Sequence, residues 1–405
     1  MNRWFHIALV NLLMAAIIGV LLRAMFLVEI PFIRFRPWLH GHSHTALLGW
    51  LFIGTLVVLL HDGGRGLLTR PLVRSLAGLQ VTVICMLVSF PAQGYGMVSI
   101  AASTAHMLLS FVVLTMLWRS SSNWPAKGSR LLVRAAIVFY LVSTLGVWAI
   151  PPIILTGHQG MEIYYWAVQF FLHFQFNGWL WFAAMAMGVR WAERQGIDLR
   201  MDRITFALWV VSAIFTYALA IAWSEPHPLV FATVSMAVLL QVWAAVRTMA
   251  ILRRVQRIAH DQLPFTVRLL IGLALLSMAL KVLVQAGVAV PVVAVMGFTI
   301  RHFVMGFIHL NTLAIMTSLL LAYALVEGWC DLSRPASRWG ILLLTAGIIL
   351  SEFLLFTQGT FFWAGWGLIP GHYLHMVVAA ALMPLGIALL IWSGRKAFGD
   401  RSSSR

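Results

Sequence analysis

Residues 39–50 read LHGHSHTALLGW, which places His40, His42 and His44 at alternate positions immediately before an apolar run. Neutral imidazole is the commonest biological metal ligand and also binds haem iron, so this spacing points first to metal or haem chemistry. The chain holds fourteen histidines, and several others are equally surrounded by apolar residues. They are His106 in IAASTAHMLLS, His173 in VQFFLHFQF, His302 and His309 in TIRHFVMGFIHL, and His372 and His375 in GHYLHM. Ionisable groups in such surroundings are costly and mark either a function or a buried polar network. For any one of them, His106 included, a hydrogen-bonded helix contact competes with a ligand role.

Helical geometry sorts these residues into faces. Positions two apart point about 200° from each other on a 3.6-residue turn, so His42 and His44 address opposite sides of a helix, while His40 and His44 share one side. His302 and His309 also share a face, two turns apart, as do His372 and His375, three apart. Ser99, Ser103, His106 and Ser110 follow the helical period, and so do Glu162, Tyr165, Gln169, His173 and Asn177. Each set forms one polar stripe that should face protein rather than lipid.

The elements that must carry these stripes are membrane helices. Of 405 residues, 61% are apolar and 10% are charged, against the roughly 25% charged of soluble domains. About twelve apolar stretches approach the roughly 20 residues that span a bilayer as helix. They cover 6–28, 40–60, 72–90, 98–118, 131–150, 162–188, 203–223, 228–249, 265–288, 299–325, 338–357 and 373–393. Continuous apolar runs favour helices over a barrel, because a helix satisfies its own backbone inside lipid. The sequence therefore predicts an all-α polytopic membrane protein, one membrane domain with arcs of about 1–120, 121–250 and 251–405.

Arginine and lysine accumulate in the loops after every even-numbered span, whereas PAQGYGM, PPIILTGHQGME and SEPHP hold none. Basic loops mark the cytoplasmic side, which predicts cytoplasmic N and C termini. His6, His61 and His260 then lie toward the cytoplasm, and the other eleven histidines fall in outer loops or in the outer half or middle of spans. His158 and His227 read as solvated loop residues. The formal charge of +16 sits in short inter-helix loops, which excludes a nucleic-acid-binding function. The first apolar run exceeds a signal peptide's core and is predicted to be retained. Cys85 and Cys330 are too far apart to suggest a disulfide, and the absence of CxxCH excludes covalent haem attachment.

The second, sixth and tenth spans repeat a pattern. His44 is followed by Gly49 and Trp50, and His173 by Gly178 and Trp179 at the same offsets; His309 is followed by Ala314 and Ile315. A small residue beyond a bulky histidine lets a planar cofactor or a neighbouring helix approach the backbone. Three blocks of four helices follow.

With these features the chain resembles the heme-copper oxidase superfamily, whose catalytic subunit has twelve helices in three pseudo-repeated arcs. Histidines of its second, sixth, seventh and tenth helices bind two haems and a copper near the outer face. HSHTALLGW resembles the HxHxxxLGW stretch of the cytochrome c-linked class, and RPWLH resembles the lead to that class's second-helix haem ligand, which matches His40. The chain also resembles the NnrS-like nitric-oxide-response haem-copper membrane proteins. It departs from the oxidases in several places. Their HxH belongs to the tenth helix, the seventh span here lacks the adjacent histidine pair of the copper site, no Tyr follows His173 at the expected turn, and His372 and His375 have no counterpart.

The resemblance implies haem b, with copper as a second candidate cofactor, in a redox protein of the bacterial cytoplasmic (inner) membrane. It also implies oxygen or nitric oxide as substrate, and an electron-donor subunit, cytochrome or quinol as partner. His44, His173 and His309 are the expected core ligands, with His42, His302, His372 and His375 completing a second site. His40 and His106 are further candidates for haem and metal respectively. Arg301 could hold a haem propionate or anchor the helix at the interface. Glu352, Glu225, Glu162 and the deeply placed Lys281 suggest a proton path, or an ion pair between Lys281 and a carboxylate. The alternative function is a metal or haem transporter or chaperone using the same histidines; three blocks of four favour the redox scaffold over two transporter halves.

Overall fold

The structure, a computed structural model, describes residues 1–61, 69–124, 127–197, 199, 201–224 and 227–402, the side chains at 127, 250, 254–262 and 395–402 excepted. Arg65, Arg200 and Glu225 thus lie outside the described residues, as does the side chain of His260. The described residues are helical without a strand, and eleven helices among them are long and apolar enough to cross a membrane. The protein is an all-α polytopic membrane protein. The spanning helices are α1 (Asn2–Ala24), α2 (Phe35–His61), α3 (Arg70–Gln93), α4 (Met97–Ser121), α5 (Lys127–Leu155), α7 (Arg203–Ile221), α8 (Pro228–Gln262), α9 (Phe265–Gly287), α10 (Arg301–Val326), α11 (Pro335–Trp363) and α12 (His372–Ser402). Residues 162–194 form a continuous twelfth helix, α6. Gln169, His173, Gln175 and Asn177 interrupt its apolar sequence. A short helix, Pro291–Thr299, precedes α10.

Local chemistry sets the helix starts. Thr69 Oγ1 accepts from the Leu72 amide at 3.5 Å, with Pro71 in the first turn of α3. Asp202 caps α7 by accepting from the amides of Ile204 and Thr205, both at 3.0 Å.

Three helices share a backbone irregularity. α2 turns π-helical at Thr45–Phe52, directly after His44; α6 does so at Phe174–Trp179, directly after His173; and α10 does so at Leu310–Thr317, directly after His309. π turns insert an extra residue, re-aim the side chains around them and cluster at functional sites. The residues matched by the HxxxxGW pattern therefore also match in backbone form.

The chain divides into two compact units. Unit 1 holds residues 1–116, 263–274 and 308–405; unit 2 holds 117–262 and 275–307. Within unit 1, α11 packs along α12, α1 against α12 and α2, and α2 against α3. Gly340 and Gly347 make the α11–α12 approach: a Cβ at Gly347 would lie 2.9 Å from the Ala379 carbonyl oxygen, and one at Gly340 would lie 2.7 Å from that of Gly386. Within unit 2, α5 packs against both halves of α6, and α7 against α8.

Candidate functional site

In unit 1 the alternating histidines face opposite ways, as their spacing predicts. His42 Nδ1 lies 2.8 Å from the Ala15 carbonyl of α1. A carbonyl only accepts, so the ring donates from Nδ1 and its lone pair resides on Nε2. Gly19 makes room for this ring, since a Cβ there would stand 3.1 Å from His42 Cε1. His44 turns to the other side and packs on Phe90 of α3, with ring centroids 4.2 Å apart. Its Nδ1 donates to the His40 carbonyl at 2.9 Å, which again leaves the lone pair on Nε2. His40 sits on the same face, its ring 4.6 Å from Tyr95.

His106 of α4 is fully buried and belongs to the His44 side, within electrostatic reach of that ring. Its Nδ1 is 2.9 Å from Thr82 Oγ1. The Thr82 hydroxyl spends its proton on the Leu79 carbonyl at 2.7 Å, so His106 must be the donor to it. The Nε2 atom of His106 is buried without a partner. Ser99, Ser110 and His106 are all buried, which places the predicted α4 stripe against protein.

His309 of α10 belongs to the other side of α2, within electrostatic reach of His42 and Arg23, and its Nδ1 is buried without a partner. Arg23, in the last turn of α1, reaches Ser351 Oγ of α11 at 3.3 Å and lies within electrostatic reach of Glu352. Histidines of unit 1 thus form two sets flanking α2: His42 with His309, and His44 with His106.

In unit 2, His173 is held differently. His173 donates from Nε2 to the Ala213 carbonyl at 2.8 Å and accepts at Nδ1 from Asn177 at 3.2 Å. Both ring nitrogens are hydrogen-bonded within the protein in this arrangement. The chain continues from Asn177 Oδ1 to Gln285 at 3.1 Å and from Gln285 Oε1 to Gln241 at 3.1 Å. Glu162 and Tyr165, at the far end of the predicted α6 stripe, are exposed, so the stripe is buried only from about His173 inward. Lys281 is buried and donates to the Phe176 carbonyl at 2.9 Å, with its ammonium 4.3 Å from the Trp181 ring centroid. The expected carboxylate partner is replaced by a π-turn carbonyl and an aromatic face.

His302 is half-buried and Arg301 exposed, both in unit 2. His372 is buried while His375 is exposed over Gly371. The expected shared face is therefore split, because positions three apart are offset by about 60° and straddle the edge of the buried surface. His158 and His227 are exposed, and His227 Nδ1 caps α8 by accepting from the Leu229 amide at 3.2 Å. Burial pushes the Cys330 thiol up to about 12, which keeps it a protonated core residue.

The glycines of the HxxxxGW pattern resolve the choice left open by the sequence in favour of a neighbouring helix. A Cβ at Gly178 would lie 2.4 Å from Phe139 Cβ of α5, and one at Gly49 would lie 2.8 Å from Val83 Cγ1 of α3. Among the described residues, no three of His, Cys, Asp and Glu converge closely enough to hold a metal ion. A two-imidazole arrangement is the largest the unit 1 sets offer. Sequence reasoning did not anticipate Thr82, the Ala15 carbonyl or Arg23 as partners. Arg23, the one Arg, Lys, Asp or Glu in the first apolar stretch 6–28, was the signal for the last of these. The sequence matches no protein-family model, and no curated protein matches it.

Proposed function

We propose that this chain is a haem-binding redox protein of the membrane, with its haem ligands in unit 1. His42 with His309 would hold one haem, and His44 with His106 offers a second position on the opposite side of α2. The observation that supports this is the state of the rings. His42, His44 and His106 each donate from Nδ1 to an oxygen of the protein, and this outer bond is the arrangement that orients a ligating histidine and directs its Nε2 lone pair at a metal. Of these rings His106 is buried and His42 and His44 are half-buried, and they are drawn from α2 and α4.

A bound haem would supply a reversible one-electron couple whose potential responds to its axial ligands and surroundings. The protein's contribution is separate from that chemistry. Ala15, His40 and Thr82 fix the tautomer and ring plane of His42, His44 and His106, the apolar helices exclude water, and Arg23 places a positive charge beside His42 and His309. The proposal is limited to haem, since no three-imidazole set for copper is assembled among the described residues. It carries with it a bacterial cytoplasmic membrane location, cytoplasmic termini by the basic-loop pattern, and a membrane electron donor such as a cytochrome or quinol.

The test is a reduced-minus-oxidised visible spectrum of protein purified in mild detergent, with iron analysis. A Soret band and stoichiometric iron are expected. Their absence from protein expressed with adequate haem would remove the proposal.

A further inference from the structure

Glu352 lies in the apolar middle of α11, and both its carboxylate oxygens are sealed from solvent with no hydrogen-bond donor among the described residues. An ionised carboxylate without donors in such surroundings is among the costliest states a protein can hold. Arg23 of α1 is close enough to be felt electrostatically, yet its guanidinium donates to the neighbouring Ser351 hydroxyl instead, and the two charged groups form no contact pair. A pair built for stability would close this gap in bidentate form. The titratable groups around this pair are few among the described residues: His309 and His42 lie within electrostatic reach of Arg23. The π turn 310–317 contains no titratable residue, His309 precedes it, and α12 contributes His372 and His375 in its first turn.

We propose that Glu352 is a proton-binding site inside the membrane-spanning part of unit 1, carrying a proton at neutral pH and able to release it, with Arg23 as the fixed counter-charge of the released state. Proton binding neutralises the carboxylate and supplies an O–H where no donor exists. Proton release leaves a carboxylate facing a nearby cation, so neither state is prohibitive. The site shares Arg23 with the surroundings of His42 and His309, but the inference does not depend on haem being bound.

Infrared spectroscopy of the full-length protein in mild detergent, titrated in H2O and in D2O, reads this directly. The expected result is a carboxylic-acid C=O band present at neutral pH and shifted in D2O. It should be lost in Glu352→Gln but retained in Glu29→Gln and Glu162→Gln, whose targets are both exposed. In Arg23→Gln the band should persist to a pH higher by at least about one unit, because the cation favouring release is gone. This second variant keeps the test decisive if Glu352→Gln does not fold. A wild-type protein with no protonated carboxyl at neutral pH would overturn the proposal, as would a band that survives in Glu352→Gln or is indifferent to Arg23.

Discussion

The Trp50 indole N–H donates to Thr317 Oγ1 at 2.8 Å, and this bond joins the π turn that follows His44 to the one that follows His309. Thr317 in turn donates its own proton to the Thr312 carbonyl at 2.8 Å, five residues back. On the other side of the first turn, Asn11 of α1 donates to the Gly49 carbonyl at 2.9 Å and exchanges amide bonds with Gln80 of α3 at 2.8 and 2.9 Å. Asn11 from α1 thus serves a carbonyl of the first π turn and Thr317 one within the second, so the phase of α2 and α10 past their histidines is held by hydrogen bonds as well as by packing.

Thr317→Val removes the acceptor but keeps the shape, leaving a buried indole N–H without a partner. Interhelical hydrogen bonds in membranes average below about 1 kcal/mol, whereas an orphaned buried donor costs about 1–3 kcal/mol. The variant should therefore lose about 1 kcal/mol and melt a few degrees earlier in detergent. An unchanged thermal midpoint would show that the bond does not hold the two turns together.

Gly49→Ala and Gly178→Ala should both destabilise by about 1–3 kcal/mol, the usual range for overpacking, with Gly178 the more sensitive. Its Cβ would meet backbone-proximal Phe139 Cβ at 2.4 Å, while Gly49 meets a Val83 methyl at 2.8 Å. Gly188→Ala on the same helix as Gly178 has nothing within 4 Å and should be neutral or slightly stabilising, since alanine favours helix. Thermal melts of the three variants check the ranking, and equal behaviour at 178 and 188 would contradict the close α5–α6 approach.

The helical periods were legible in sequence, and so was their consequence at α2. A 100° step per residue forces His42 and His44 apart whatever surrounds them. The π turns were not legible: TALLGWLF and LNTLAIMT carry no residue type that demands an extra residue per turn, and the bonds that meet the turns include distant ones, Asn11 to the Gly49 carbonyl, Trp50 to Thr317 and Lys281 to the Phe176 carbonyl of α6. The saturation of His173 was half legible. Asn177 stands four residues on in the same stripe, but the Ala213 carbonyl is forty residues away, placed by the packing of α7 against α6. The partner of Lys281 is a carbonyl whose availability depends on a π turn, so a charge-pairing argument from sequence pointed to a carboxylate instead.

Acid should release the start of α7 late. The Asp202 carboxylate accepts from two amides, from Thr205 Oγ1 at 2.7 Å and from Arg247 at 3.2 Å, and these bonds, the Thr205 ones first, hold it well below the usual carboxylate range. A depressed native pKa contributes stability that is present above the unfolded value of about 3.9 and lost as pH falls through the folded value. Amide exchange at 204–206, corrected for its intrinsic pH dependence, should stay slow below pH of about 4, whereas Asp202→Ala should exchange fast at neutral pH. Loss of protection in the wild type at the ordinary aspartate range would refute the cap.

The two histidines His42 and His173 should respond in opposite ways to removal. His42 has one nitrogen bonded to Ala15 and the other carrying an uncommitted lone pair, so His42→Ala should lower haem content or convert a six-coordinate spectrum to a five-coordinate one, with a modest effect on folding. His173 has both nitrogens bonded, and His173→Ala removes the donor to the Ala213 carbonyl and one acceptor of the Asn177 amide, at about 1–3 kcal/mol. It should melt earlier yet retain the wild-type spectrum. Absorption spectra with haem quantitation, read beside thermal melts of the same preparations, separate ligand loss from destabilisation. If His173→Ala loses haem while His42→Ala keeps its full complement and coordination, the ligand set lies in unit 2 and the assignment to unit 1 fails.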